Sequence, residues 1–262
     1  MKTEQKKALL VVSFGTSYAD TRKKNIEHVE SVLKNAFPDR CFYHAYTSQM
    51  ILDKLRNRDH IFIPNVNEAM EQMHSDGITD VLVQPTHIMN GIENDMMRET
   101  ILSFSSQFQK LQIGAPLLNT TQDQFAVIQA MTKELPQLSE TEAIVLMGHG
   151  TTHYANSIYA ALDYAFKQSG FPHIHVGTVE AYPGLWEIIS ALKANHTSHV
   201  YLAPFMLVAG DHATNDLAGE EEDSWKSILE TNGFTTECIL KGLGEYEGIC
   251  ELYTQHAKAA GH

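Results

Sequence analysis

The chain has 262 residues, of which 43% are hydrophobic and 19% are charged, and its net charge is -13 with the histidines neutral. These values are typical of a globular protein large enough for two domains. The negative charge argues against nucleic acids and anionic membrane surfaces as partners. The first apolar run, residues 8–12, is too short for a membrane span or a secretion signal, so we expect a cytoplasmic protein.

In the first half of the chain, short β-branched runs alternate with helical stretches, which predicts a parallel sheet with crossover helices. Strands are predicted at about 8–13, 41–46, 79–86 and 111–116, and helices at about 19–36, 48–57, 65–76 and 94–109. A linking helix and loop follow between residues 119 and 142, where Pro136 should end the helix.

The second half repeats the pattern. Strands are predicted near 143–148, 174–179, 198–206 and 236–241, and helices near 154–169, 184–195 and 214–232. A last helix at about 245–258 has no strand after it, and we expect it to pack back onto the first domain. The predicted division is therefore an N-terminal α/β domain at 1–125, a C-terminal α/β domain at 126–244 and the returning helix at 245–262.

The two halves are versions of one unit. Residues 9–18, LLVVSFGTSY, match residues 144–153, IVLMGHGTTH, and residues 80–93 align without a gap on residues 199–212. In this alignment His149 replaces Phe14, and His212 replaces Glu93. We therefore predict two similar α/β domains, each with a central parallel sheet flanked by helices, and a functional cleft between them.

Three segments of the second half each end a strand with a side chain that can bind a metal. They supply His149, Glu180 and His212. If the strands are neighbours in one sheet, two imidazoles and one carboxylate converge, a set that suits cobalt, nickel, iron or zinc. The glycines beside His149 would allow a tight turn and close approach of a large ligand. Taken singly, each residue is equally well explained as a surface histidine or a solvated cap.

His153 follows His149 by one helical turn. This spacing can bind a metal, but the first copy has Tyr18 at the equivalent position. We therefore expect His153 to support the start of a helix or a neighbouring ligand. The three cysteines form no C-x-x-C motif, so neither a disulfide framework nor an iron–sulfur cluster is predicted.

The segments VVSFGTSY, MGHG, VEAYP, LVAGDHATND and GLGE together resemble the anaerobic sirohydrochlorin cobaltochelatases, which belong to the metal-chelatase superfamily that includes ferrochelatase. The resemblance runs from about Lys7 to Tyr253. It implies insertion of Co(II) into a tetrapyrrole, sirohydrochlorin or precorrin-2, in anaerobic cobalamin synthesis. It also implies that His149, Glu180 and His212 are the metal ligands and that His149 accepts a proton from the macrocycle.

The first domain is expected to supply the opposite wall of the cleft. His87 and Glu93 follow its third strand, and His87 is a candidate substrate-binding residue. Glu93 is a candidate proton acceptor or substrate contact, although a carboxylate that caps the next helix explains it equally well. Free backbone N–H groups at the start of a helix favour anions. The segment Ser13, Phe14, Gly15 and Thr16 is therefore a candidate for binding the substrate carboxylates.

Other functions remain open at this stage. The same ligands would serve an Fe(II) or Ni(II) chelatase that forms sirohaem, or a carrier that binds metal or tetrapyrrole without catalysis. Metal-assisted hydrolysis at His149 and His153 is a further alternative, whereas no G-x-S-x-G or H-E-x-x-H motif is present. The expected partners are the tetrapyrrole and the divalent ion, and a homo-oligomer is not excluded.

Overall fold

The computed structural model describes residues 6–261. They form two compact units. The N-terminal unit extends to Asn119 and includes the chain again from Ile249, and the C-terminal unit is Thr120–Gly248. Each unit contains one four-stranded sheet in which every pairing is parallel.

The N-terminal unit alternates strands with helices as the sequence predicts. Its strands are β1 (Lys7–Ser13), β2 (Cys41–Tyr46), β3 (Asp80–Pro85) and β4 (Lys110–Ile113). Its helices before β4 are α1 (Ala19–Thr21), α2 (Glu27–Ala36), α3 (Gln49–Asp59), α4 (Val66–Ser75) and α5 (Ile92–Ser103), with a π-helical turn at Arg22–Ile26 and a 3-10 turn at Ser105–Gln107. The strand order is β2-β1-β3-β4.

The C-terminal unit has the equivalent strand order, β6-β5-β7-β8. Its strands are β5 (Glu142–Gly148), β6 (Ile174–Thr178), β7 (His199–Pro204) and β8 (Thr235–Cys238). Its helices are α6 (Thr121–Thr132), α7 (Ser157–Gln168), α8 (Leu185–Ala194) and α9 (Trp225–Thr231), with 3-10 turns at Tyr154–Asn156 and Leu243–Glu245 and a π-helical turn at Ala213–Leu217. The predicted fold class, two similar α/β domains with parallel sheets, is confirmed.

Four of the strands, two from each sheet, are buried along almost their whole length. Every residue of β3 and β6 is buried, and in β1 and β5 only the first residue is partly exposed. This is the pattern of a parallel sheet covered by helices on both faces. Because helices cover both faces, the loops lie at the ends of the strands. Functional side chains of such folds are found at these ends.

The last helix, α10 (Glu247–Gly261), lies in the N-terminal unit from Ile249 onward. The buried Tyr253 donates a hydrogen bond from its hydroxyl to the carbonyl of Thr86, 2.7 Å away. Burial raises the pKa of the Tyr253 hydroxyl well above its usual value, so it stays protonated as a donor. Near the end of the helix, the Gln112 amide donates to the Ala260 carbonyl.

The units divide at places that differ from the predicted boundaries. Residue 125 lies inside α6, and a helix folds as one piece. The division at Asn119 comes just before the capping box that starts this helix, in which Thr120 accepts from the backbone N–H of Asp123 and Asp123 accepts from that of Thr120. The helix ends at Thr132, before Pro136, so the proline lies in the loop beyond it.

The predicted helix at 214–232 is wrong. The structure has the π-helical turn Ala213–Leu217 and then, after a break, α9. At Gly219 a Cβ atom would lie 2.3 Å from the Asn215 carbonyl oxygen, which shows how tightly the chain turns there. Ser224 then caps α9 by accepting a hydrogen bond from the Ser227 backbone N–H. The acidic run 220–223 therefore precedes a new helix as an exposed segment.

Within residues 6–261 no helix combines the length and hydropathy that crossing a membrane requires.

The N-terminal sheet contains a buried ion pair near the start of its strands. The Nη1 atom of Arg40 donates hydrogen bonds to Asp80 Oδ1, 2.9 Å away, and to the carbonyl oxygen of Ala8, 3.1 Å away. The side chains of Arg40 and Asp80 are only 8% and 5% exposed.

We predict that Asp80→Ala lowers the free energy of unfolding by about 3–5 kcal/mol, because it leaves the Arg40 charge buried without its partner. Denaturant titration followed by circular dichroism measures the loss. Asp39→Ala is the matched control, since it removes a carboxylate from the exposed Lys7–Asp39 pair and should cost much less. Equal losses in the two variants would contradict the importance of the buried pair.

Candidate metal centre

The candidate site is built on two neighbouring parallel strands. β5 and β6 pair to their carboxyl ends, with Gly148 opposite Thr178. The pairing continues into the loops, because the Glu180 backbone N–H donates to the His149 carbonyl at 2.9 Å. His149 and Glu180 are therefore positioned by the sheet itself and not by a contact of their side chains.

The glycines on both sides of His149 are required by protein neighbours. A Cβ atom at Gly148 would lie 2.2 Å from the Tyr159 ring. Gly150 has a φ of +89°, and a Cβ atom there would lie 2.9 Å from Ala181, in the loop that carries Glu180. The sequence suggested that these glycines admit a large ligand. In the structure Gly148 leaves room for the Tyr159 ring, and Gly150 lets the two loops that carry His149 and Glu180 approach each other.

Asn156 also joins these two loops. Its Oδ1 atom accepts a hydrogen bond from the Thr151 backbone N–H at 3.0 Å, and its Nδ2 atom donates to the Tyr182 carbonyl at 2.6 Å. The segment after His149 is thus tied to the segment after Glu180. Sequence reasoning did not identify Asn156, because this residue falls inside the predicted helix near 154–169, whereas the structure has a 3-10 turn at Tyr154–Asn156.

The third side chain follows the strand on the other side of β5. β7 pairs with β5, and the chain beyond it is anchored by the buried Phe205, whose N–H donates to the Met147 carbonyl at 2.7 Å. His212 is the residue just before the π-helical turn Ala213–Leu217, and both end residues of that turn are buried.

The structure brings the three predicted ligands together. One potential ligand atom from each of His149, Glu180 and His212 lies within 4.8 Å of the other two. The two imidazole rings are 4.6 Å apart between centroids and nearly perpendicular, at 88°. Across residues 6–261 this is the one group of three or more His, Cys, Asp or Glu side chains with such spacing.

The group is accessible. The side chains of His149, Glu180 and His212 are 46%, 55% and 33% exposed. Glu180 Oε2 lies 3.7 Å from His149 Nδ1. Both histidines use Nδ1 for a contact inside the unit, His149 with the Gly150 carbonyl at 2.8 Å and His212 with Asp216 Oδ2 at 2.6 Å. The Nε2 atoms are therefore the ones left to meet an ion.

His153 does not belong to this group. It is the N-cap of the 3-10 turn before α7, and its Nδ1 atom accepts a hydrogen bond from the Ala155 backbone N–H at 3.2 Å. Its ring packs on Tyr154 with centroids 4.1 Å apart. The structure thus shows His153 at the start of a helix, in the supporting position that the sequence favoured.

The candidate substrate segment of the N-terminal unit is mostly buried. Ser13 is 0% and Thr16 is 4% exposed, and Gly15 is also buried. The Ser13 hydroxyl oxygen accepts from the Thr86 hydroxyl at 2.8 Å, and Thr16 Oγ1 accepts from the Tyr18 N–H. Side-chain contacts of Ser13 and Thr16 with a substrate are therefore not supported. Phe14 is exposed, and binding through backbone N–H groups stays a prediction.

His87 and Glu93 belong to the N-terminal unit and are not part of the metal-ligand group. Both ring nitrogens of His87 are buried without a hydrogen-bond partner, and burial lowers the pKa of this histidine to about 4. His87 is therefore neutral at pH 7. Glu93 is exposed in the first turn of α5, which begins two residues before the predicted start at Asn94. At this position the negative charge of Glu93 interacts favourably with the positive end of the helix dipole.

The chain is similar in sequence to a family of metal chelatases. The model of the family described as cobalt chelatase (CbiK) matches residues 7–262. The sirohydrochlorin cobaltochelatase of Salmonella typhimurium is 42% identical over 255 residues, covering 97% of this chain and 96% of that protein. The sirohydrochlorin cobaltochelatase CbiKC of Nitratidesulfovibrio vulgaris is 32% identical over 262 residues, covering 97% and 90%.

Solved structures share the fold at low sequence identity. SirB from Bacillus subtilis with Fe3+ has a TM-score of 0.67 and 13% identity, and the match covers 98% of this chain and 96% of SirB. CbiX, from siroheme biosynthesis in denitrifying bacteria, has a TM-score of 0.53 and 17% identity, covering 97% and 99%. These similarities support the architecture of two parallel-sheet domains.

We predict that Gly150→Ala weakens Co(II) binding and lowers the free energy of unfolding by about 2 kcal/mol or more, because the residue must keep a left-handed φ and contacts Ala181. Gly170→Ala is the matched control, since Gly170 has the same φ of +89° but nothing within 4 Å of its Cβ position. Isothermal titration with Co(II) and denaturant unfolding compare the two. If the two substitutions had equal effects on Co(II) binding, the close approach of Gly150 to Ala181 would have no role in the site.

We also predict that His87 causes the free energy of unfolding to decrease as the pH falls. The pKa of His87 is about 4 in the folded protein and about 6.5 in the unfolded chain. The unfolded state therefore gains a proton first, and stability is lost as pH falls from about 6.5 to about 4. Unfolding of His87→Leu should show a weaker pH dependence over this range than unfolding of the parent. Parallel profiles for His87→Leu and the parent would refute this.

Proposed function

The chain belongs to the cobalt chelatase (CbiK) family, and we propose that it inserts Co(II) into sirohydrochlorin with release of two pyrrole protons. The observation that carries the proposal is the convergence of His149, Glu180 and His212 at one accessible point. The relatives named for this reaction match nearly the whole chain. The substrate ion and the tetrapyrrole are accordingly the expected partners.

The ligand set fits an ion that must be bound and then released. Imidazole nitrogen and carboxylate oxygen both coordinate divalent cobalt, and neither has the softness that would trap it. Three protein ligands leave open coordination positions, as in catalytic metal sites. These positions let ring nitrogens replace the protein ligands one at a time. The Glu180 carboxylate also offsets part of the charge of the ion while it is held.

Proton removal requires a base beside the ion. The two pyrrole N–H bonds break as the nitrogens bind cobalt, and the two protons leave the ring. We propose that His149 accepts one of them through Nε2, because its Nδ1 atom is held by the Gly150 carbonyl. Histidine accepts protons near neutral pH. Glu180, with Oε2 at 3.7 Å from Nδ1, would stabilise the resulting imidazolium.

The N-terminal unit supplies further candidate substrate contacts. Sirohydrochlorin carries several carboxylates, although the chain has a net charge of -13. Backbone N–H groups near Phe14 and Gly15 would bind them by local dipoles, which needs no basic surface. Both ring nitrogens of His87 are buried, so a contact between this side chain and the substrate is not part of the proposal. Glu93 is proposed as a second proton acceptor on the basis of its exposed position.

The same donor set accepts Fe(II) and Ni(II), so formation of sirohaem is the second candidate activity. A carrier that binds metal and tetrapyrrole without catalysis would keep the ligands and show no turnover. Precorrin-2 is the alternative ring. A cytoplasmic location and the absence of an iron–sulfur cluster stay predictions from the sequence.

We predict that His149→Ala and His212→Ala each lower the rate of Co(II) insertion into sirohydrochlorin by at least about 100-fold, because each removes a ligand and the first also removes the base. The measurement is the change in absorbance of sirohydrochlorin with Co(II), Fe(II) or Ni(II). His199→Ala is the control, since His199 lies at the opposite end of β7 from the site.

Each outcome separates the candidate functions. Insertion at the parent rate in both variants would contradict the site assignment. Stoichiometric uptake of metal and ring by the parent, with no turnover, would favour the carrier. Faster insertion of Fe(II) than of Co(II) would favour sirohaem formation.

A further inference from the structure

We propose that Asp216 is a positioning residue that fixes the orientation and tautomer of His212, so that His212 is the ligand that retains the ion while His149 accepts the proton. The inference rests on the proposed function only in taking His149, Glu180 and His212 as the metal site. It assigns to Asp216 no contact with the ion.

The contact between the two residues is short. Asp216 Oδ2 lies 2.6 Å from His212 Nδ1. An ionised carboxylate can only accept hydrogen bonds, so Nδ1 must carry the proton. Nε2 then has the free lone pair, and the hydrogen bond at Nδ1 restricts rotation of the ring. Carboxylates that hold metal-binding histidines in this way also strengthen the ligand.

The chain around Asp216 is itself held in place. His212 and Asp216 are four positions apart, and the π-helical turn Ala213–Leu217 places their side chains on the same side of the chain. The two end residues of this turn are buried in the core. At its start, the Thr214 hydroxyl donates to the Gly210 carbonyl at 3.0 Å. Single π-helical turns are frequent at functional sites. An irregular turn of this kind, anchored at both ends, gives Asp216 little freedom to leave His212.

The two histidines of the site differ in the partner of Nδ1. His149 meets a neutral carbonyl, that of its neighbour Gly150, whereas His212 meets a carboxylate. Charge-assisted hydrogen bonds are roughly twice as strong as neutral ones. His212 is therefore the more firmly oriented ring. His149 is held less strongly and sits beside Glu180, which suits a residue that must exchange the ion for a proton.

A purely structural role for Asp216 predicts different behaviour. The His212 and Asp216 side chains are 33% and 43% exposed, and exposed pairs on one helical turn contribute little to stability. Loss of such a pair would leave the cobalt site unchanged. Metal affinity and the visible spectrum of bound Co(II) therefore distinguish positioning from stabilisation, and neither needs the tetrapyrrole.

The test compares Asp216→Ala, Asp216→Asn and the control Asp223→Ala in titrations of the full chain with CoCl2, followed by the visible absorption of Co(II). Asp223 is an exposed carboxylate on the segment before α9. We expect Asp216→Ala to weaken Co(II) binding by about 10- to 100-fold and to change the spectrum. Asp216→Asn keeps an acceptor without the charge, and we expect a loss of about 10-fold. Asp223→Ala should match the parent.

The outcomes are separable from those for the proposed function. Parent-like affinity and spectrum in folded Asp216→Ala would overturn the positioning role, and if that variant does not fold, parent-like affinity in Asp216→Asn would do so. His212→Ala, titrated in parallel, tests the site itself. If His212→Ala loses Co(II) and the Asp216 variants do not, the function stands and the inference fails. If His212→Ala keeps Co(II), the site assignment fails first.

Discussion

The parallel pairing of β5 with β6 and β7 is the constraint on which the site depends. Adjacent parallel strands end at the same edge of a sheet, so whatever follows them emerges side by side. Here the backbone bond from Glu180 to the His149 carbonyl extends the pairing beyond the strands. Two ligands are thus placed by main-chain hydrogen bonds, and loop side chains only refine their positions. The main chain therefore sets the separation of these two candidate ligands.

The duplicated units show that the fold alone does not make the site. The same backbone bonds recur after the first two strands of each unit: Thr47 to Ser13 and Ser48 to Phe14, and Val179 to Gly148 and Glu180 to His149. Phe14 and Ser48 thus occupy the places of His149 and Glu180. Ser48 caps α3 by accepting from the Ile51 N–H. One copy therefore has an exposed phenylalanine and a helix cap at the positions where the other has two candidate metal ligands, which agrees with function residing in side chains on a shared scaffold.

Much of this could be predicted from the sequence, because buried parallel strands are continuous apolar runs. β1, β3, β5 and β6 were located within one or two residues for this reason. The sequence also predicted that each of the three candidate ligands follows a strand, and the strand order of the C-terminal sheet makes these strands neighbours. Such reasoning depends on periodicity and repetition, and both are strong in this chain.

What the sequence did not reveal depends on local three-dimensional contacts. The break at Gly219 was missed because the helical pattern of residues 214–232 continues through it, and a single glycine is a weak signal. Ser13 and Thr16 are buried and form hydrogen bonds with Thr86 and Tyr18. Neither the burial nor these contacts can be read from the sequence. Asn156 and Asp216 lie in segments whose turns could not be foreseen, so their contacts with the site could not be either.

The central claim is that two imidazoles and one carboxylate of the C-terminal unit bind the same ion. X-ray absorption spectroscopy at the cobalt edge, on the protein loaded with one equivalent of Co(II), tests it most directly. The account predicts scattering from two histidine rings together with oxygen ligands, and loss of one ring in His212→Ala. A shell of oxygen atoms alone, or a spectrum that His212→Ala leaves unchanged, would contradict it.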